Sequence, residues 1–146
     1  MSFSFDAQQG LVVVRAERTG PSGIAVVRLA LDTGATRTLI NASLLVAVGY
    51  DPAASLERAE VTTGSGVEFA ALISVSRIVA LGRELSDLPV LAHTLPPSAG
   101  VDGVLGLDFL RGQLLTIDFV NGRLTLAELG VSRLNQPQKE RRHTLL

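Results

Sequence analysis

The sequence predicts an all-β domain with one or two short helices, on three observations. Most of the chain divides into short runs rich in Val, Ile, Leu and Thr, each closed by a cluster of Gly, Pro, Ser, Asn or Asp. Only two stretches look helical, and both are short. Hydrophobic residues make up 47% while aromatics are 4% and Trp is absent, so the core must be built from aliphatic side chains. At 146 residues the chain suffices for one domain with a real core and is short for two. That domain is expected over residues 1–130. Residues 131–146, which include "NQPQKERRHTLL", lose periodicity and gain charge, and are expected to form a loose tail.

The elements follow in order. "GLVVVRAER" (10–18) and "GIAVVRLAL" (23–31) flank the turn cluster "TGPSG" and predict a hairpin. "NASLLVAVGYDP" predicts a short helix, with Asn41 as N-cap, Gly49 as a stop and Pro52 beyond it. "RAEVTT" (58–63) and "VEFAALISVSRIVAL" (67–81) are strands joined by "GSG". "LPVLAH" (88–93) is a further strand after Asp87. "GLDFLRG" (106–112) has room for one or two helical turns. "LLTIDF" and "RLTLAEL" surround Val120, Asn121 and Gly122, and Asn-Gly is a strong hairpin signal.

Composition also excludes function classes. A net charge of −1 gives no electrostatic case for nucleic acid or an anionic membrane. The absence of cysteine removes disulfides, thiolate nucleophiles and Cys-ligated zinc together. The two histidines, His93 and His143, lie far apart without a ligand partner at helical spacing, so neither a metal site nor a Ser-His-Asp site is expected. The start "MSFSFDAQQG" has no basic or long apolar region, and no run approaches a membrane span. The expectation is a soluble cytoplasmic protein.

The informative stretch is "VVRLALDTGATRTLI" (26–40), where Asp32 interrupts apolar runs. A carboxylate beside a core-like strand is costly unless it is paired or hydrogen-bonded. Taken alone, Asp-Thr-Gly is a good turn: Asp accepts backbone N–H bonds and Gly34 permits positive φ. Its surroundings suggest more. About seventy residues on comes "VDGVLGLDFL" (101–110), a second apolar strand ending in Gly106 and running into a helix. Between the two lies a hairpin with a small tip, "TTGSGVE".

With these three pieces in order, the sequence resembles the retropepsin-type aspartic proteases, the class of retroviral proteases and their bacterial relatives. The resemblance covers about residues 10–127, with "LALDTGATRTLI" as catalytic loop, "VTTGSGVEF" as flap and "GVLGLDFL" as the segment before the C-terminal helix. It implies a closed β-barrel-like domain acting as a two-fold homodimer on peptide or protein substrates, without cofactor. Asp32 would be the catalytic aspartate, Thr33 would lock the two loops of the dimer, and Gly34 would donate its N–H towards the carboxylate. Ala35, Thr63, Gly64, Ser65 and Gly66 would contact substrate, and Val104, Leu105 and Gly106 would pack under the loop. Ala35 lacks the hydroxyl that some members place near the dyad, which implies activity extending towards neutral pH.

The sequence also departs from the retroviral pattern. An acidic residue after Asp-Thr-Gly-Ala and an arginine after the second-motif glycine commonly form an ion pair; here they are Thr36 and Leu107. The plain flap and the missing pair leave a second reading open, an inactive retropepsin-like module that binds peptides or partners. A third, a small ligand-binding β-barrel, leaves the paired motifs unexplained. Elsewhere, Asp108 is expected to serve the N–H groups at the start of its helix and Asp102 to be a turn residue. The "GSG" stretch is taken as a hairpin tip, His93 as solvated or packed, and "KERRH" (139–143) as a solubilising run.

Overall fold

A computed structural model describes residues 1–128. The expected tail over 131–146 and "KERRH" therefore lie outside the described residues. Among the described residues ten strands and two short α-helices follow one another: β1 (Ser2–Ser4), β2 (Val13–Gly20), β3 (Gly23–Leu31), β4 (Leu39–Asn41), α1 (Ala42–Ala47), β5 (Arg58–Thr63), β6 (Gly66–Ala80), β7 (Arg83–His93), β8 (Gly103–Leu105), α2 (Leu107–Leu110), β9 (Gln113–Asp118) and β10 (Arg123–Glu128).

The main sheet runs β2-β3-β8-β4-β7-β6-β5, and a further β2–β6 pairing closes six of these strands into a ring. Closure depends on the length of β6. Its far half, Arg77 to Ala80, pairs with β2, while its near half, Gly66 to Ala71, pairs with β5. Because β7 pairs with β6 only as far as Ala71–Ala92, the β5–β6 hairpin projects from the ring. A second sheet, β1-β10-β9, is antiparallel throughout.

Alternation along the strands sends one face inward. In β2, Val14, Ala16 and Arg18 are buried between exposed Arg15 and Glu17. Val27 and Leu29 of β3, Ile73, Val75 and Ile78 of β6, and Val90 of β7 fill the same core with Leu45, Leu105, Phe109 and Leu124. The burial of these aliphatic chains is the main stabilising term, as the composition requires.

Two arginines reach from strands to the helices. Arg18 is 1% exposed, and its Nε and Nη2 donate to the carbonyl of Leu44 in α1 at 3.2 and 2.6 Å. Burial pulls its pKa down, with the charge of Asp102 opposing. Arg83 donates to the Phe109 carbonyl of α2 and lies 5.6 Å over the Phe109 ring. Each supplies donors to carbonyls near the end of a short helix.

Most expected elements are found, with shifts that have local causes. Asn41 does cap α1, accepting the Ser43 N–H at 3.4 Å, and Gly49 follows at φ 100°. The β9–β10 turn is fastened by Asp118, whose carboxylate accepts the N–H groups of Val120 and Asn121 and the Asn121 side-chain amide; these bonds hold its pKa below the usual carboxylate range. Strand β7 begins at Arg83, not Leu88, because Leu81 and Gly82 (φ 52° and 74°) make a tight hairpin with β6. Its alternating polar residues hid it, and Asp87 at φ 54° breaks the run. Between the Val75–Leu88 and Arg77–Ser86 pairs, the Ser76 N–H turns to the Tyr50 hydroxyl at 2.8 Å. Strand β1 is an addition, only three residues long and made by tertiary pairing with β10.

Candidate active site

Parallel pairing of β3 with β8 sets Leu29, Ala30 and Leu31 beside Gly103, Val104 and Leu105. The two motifs, far apart in sequence, therefore end side by side. Just past this ladder the Asp32 N–H donates to the Leu105 carbonyl at 3.0 Å, which fixes where the chain leaves β3. The Asp32 carboxylate accepts the Gly34 N–H at 2.9 Å, and its carbonyl accepts the Ala35 N–H at 3.2 Å. These are the turn bonds that the residue types favour. Asp32 and Ala35 are half-buried, while Thr33 and Gly34 are exposed. The carboxylate is thus less desolvated than its apolar sequence neighbours suggest.

Beneath the loop sits a polar linkage. Thr38, fully buried, donates its hydroxyl to Asp108 Oδ1 at 2.7 Å and accepts the Gly106 N–H at 3.1 Å. Its own N–H donates to Asp108 Oδ2 at 2.9 Å, and the Leu107 N–H donates to the Ala35 carbonyl at 2.8 Å. Asp108 stands in the first turn of α2, as expected, but the hydrogen bonds of its carboxylate go to Thr38 in the Asp32 loop, and no side chain caps the helix. Asp102 is also more than a turn residue, since its Oδ2 accepts the Arg28 N–H at 2.7 Å and its carbonyl accepts the Asn41 N–H at 2.8 Å. Thr38 was not singled out from sequence. A Thr leading directly into apolar Leu39 and Ile40 was the available signal.

Gly106 allows this closeness. A Cβ there would lie 2.6 Å from the Arg37 carbonyl carbon and 2.9 Å from the Ala35 oxygen. Thr36 is exposed and Leu107 half-buried, so the positions of the absent ion pair hold a small polar and an apolar side chain.

The flap residues lie at the end of the β5–β6 hairpin, where Thr63 pairs with Gly66 across Gly64 and Ser65. Gly66 takes φ 129°, a conformation that L side chains rarely adopt. Hairpin and loop side share a second apolar cluster, separate from the core. Leu39 pairs with Val104 on one side and Leu91 on the other, and Leu91 pairs with Leu72. Ala59, Val61, Ala70 and Leu95 complete it. This outer face thus runs from β8, beside the Asp32 loop, to the flap. A hollow of about 580 Å³ elsewhere, lined by Phe3, Val14, Val26 and Val79, includes none of these candidate residues.

A ring closed by the long β6, with an Asp-Thr-Gly loop laid against an apolar-Gly segment and a projecting hairpin, is the retropepsin-like aspartic protease fold. The fold is similar to that of a retropepsin-like aspartic protease from Rickettsia conorii, with a TM-score of 0.63 and 19% identity, over 88% of this chain and 92% of that one. A family model described as "gag-polyprotein putative aspartyl protease" matches residues 23–112, more than half of the sequence, and the chain belongs to that family. No curated protein matches it. Among the described residues no helix is long and apolar enough to cross a membrane.

Proposed function

We propose that the chain is an aspartic endopeptidase that works as a homodimer. The observation that carries this is Asp32 at the open end of β3, a half-buried residue whose carboxylate accepts the Gly34 N–H. The sequence has one Asp-Thr-Gly. The chemistry needs two carboxylates about 3 Å apart sharing one proton, because both cannot ionise readily at that distance. The second comes from an identical subunit across a two-fold axis. One carboxylate takes a proton from the lytic water as it attacks the scissile carbonyl; the other delivers its proton to that carbonyl's oxygen. The dyad's two pKa values belong to the pair.

In this reading exposed Thr33 meets its counterpart across the axis and Gly34 lets the substrate backbone approach. Ala35 and the flap, Thr63 to Gly66, bracket an extended peptide whose apolar side chains meet the Leu39–Val104 face. Val104, Leu105 and Gly106 support the loop from below. Neither metal nor organic cofactor is needed, and the setting is cytoplasmic.

The test is digestion of a diverse peptide library at several pH values, read by mass spectrometry, with wild type and Asp32→Asn side by side at dimer-favouring concentration. Cuts present only in wild type support the peptidase; cuts in both reduce Asp32 to a turn residue. Thr36 and Leu107, which leave no ion pair at the usual place, favour a second reading as a peptide-binding module. A dimer that binds peptides and cuts none selects it.

A further inference from the structure

The apolar face between loop and flap ends in a charged pair. Ala70 and Leu72 of β6 lie in the outer cluster, and Glu68, two residues before Ala70, continues their face. Its cross-strand neighbour on β5 is Val61, another member of the cluster. On β7, His93 stands in the same relation to Leu91, two residues further along. The two side chains meet beyond the last β6–β7 pair, with His93 Nε2 at 3.6 Å from Glu68 Oε2. The His93 side chain is 23% exposed and that of Glu68 is 53% exposed, so the carboxylate is anchored on one side and open on the other.

We propose that Glu68, placed by His93, is a specificity-determining residue that takes a Lys or Arg side chain of the bound peptide at the flap end of the apolar face. This rests on the peptidase reading above. Charge complementarity selects the occupant: the Glu68 carboxylate stays half exposed beyond its contact with His93, and an apolar floor on the approach suits the methylene stem of a Lys or Arg. Arg37 lies exposed at the opposite end, next to the catalytic loop, and Thr38 and Ile40 point inward on either side of Leu39. A peptide lying along the face therefore meets a cation near Asp32 and an anion at the flap, which disfavours a basic side chain close to the scissile bond. In a two-fold dimer each subunit offers one such subsite, so the preference falls on both sides of the cut at matching distances.

The experiment compares matched peptides carrying Lys, Gln or Glu at each position. For wild type, kcat/KM is read; for Asp32→Asn, binding is read by fluorescence anisotropy. Lys should exceed Glu roughly fivefold at one position on each side of the cut, as expected for a partly exposed ion pair, and less so in high salt. Glu68→Gln should flatten the preference and Glu68→Lys should invert it. His93→Ala should weaken the preference without inverting it, and His93→Gln, which keeps an N–H donor, should restore it in part. Cutting with no charge preference, or a preference untouched by Glu68→Lys, overturns the assignment and leaves the peptidase standing. Charge-dependent binding by Asp32→Asn together with no cutting by wild type keeps the Glu68 assignment and removes the peptidase. Neither cutting nor binding removes both.

Discussion

The Asp32-loop side and the β5–β6 hairpin tip both rely on glycine, but their surroundings differ. At Gly103 an added Cβ would lie 2.0 Å from the Leu39 carbonyl oxygen, and at Gly106 it would press on the backbone of Arg37 and Ala35. At Gly64 and Gly66 such an atom would meet nothing within 4 Å. On the loop side, glycine lets three strands and a helix start converge on rigid backbone. At the flap it permits a two-residue turn, with Gly66 at φ 129°. One end is set by packing, the other by local backbone conformation. Damage at the first should register as lost stability, and damage at the second as altered local opening.

Replacing either loop-side glycine is the strongest way to test that contrast. Gly103→Ala and Gly106→Ala place a methyl against backbone that cannot rotate aside. Each should cost about 3 kcal/mol or more, lowering Tm by roughly 10 °C for a chain of this size. Thermal melts of the two variants check this. A shift of only a degree or two at both would mean that the loop side is not tightly packed.

Next in size is the linkage that holds the loop from below. Thr38→Val keeps shape but removes the hydroxyl between Asp108 and Gly106. It leaves a buried N–H and a carboxylate oxygen without that partner, for about 2 kcal/mol. Thr38→Ser keeps the hydroxyl and loses a methyl, for about 1 kcal/mol. Urea denaturation of the pair separates polar linkage from packing: a Val variant as stable as wild type beside a destabilised Ser variant would show that only the methyl matters.

The same contrast explains what could be read before the structure. Local signals carried the long β6, the Asn41 cap and the Asn-Gly hairpin, because each depends on residues close in sequence. Asp32-Thr33-Gly34 and Gly106 stood out as motifs for the same reason. Strand β1 escaped notice because three residues show no period and its edge is supplied by β10. Thr38 and Asp108 are seventy residues apart, and their types alone do not announce a shared bond. Asp108 at a helix start had a sufficient local explanation, which tertiary geometry overrode. The Glu68–His93 meeting was equally hidden, since it depends on β7 ending where β6 continues.

The smallest effect belongs to the flap. Gly66→Ala forces an L side chain into φ 129°, at a local cost of about 1–3 kcal/mol. That cost falls on a hairpin whose last backbone pair with the ring is Ala71–Ala92. The hairpin can open locally while the ring stays folded, so little of the strain should appear in global unfolding. Tm is expected to move by less than 2 °C, while amide exchange across residues 58–71 accelerates roughly tenfold, the counterpart of about 1.4 kcal/mol in the opening equilibrium. Gly64, with no positive φ to preserve, is the control: Gly64→Ala should leave both readings near wild type. If Gly66→Ala instead lowered Tm as much as Gly106→Ala, the flap would be unfolding together with the ring. The division between a packed loop side and a locally governed flap would then fail.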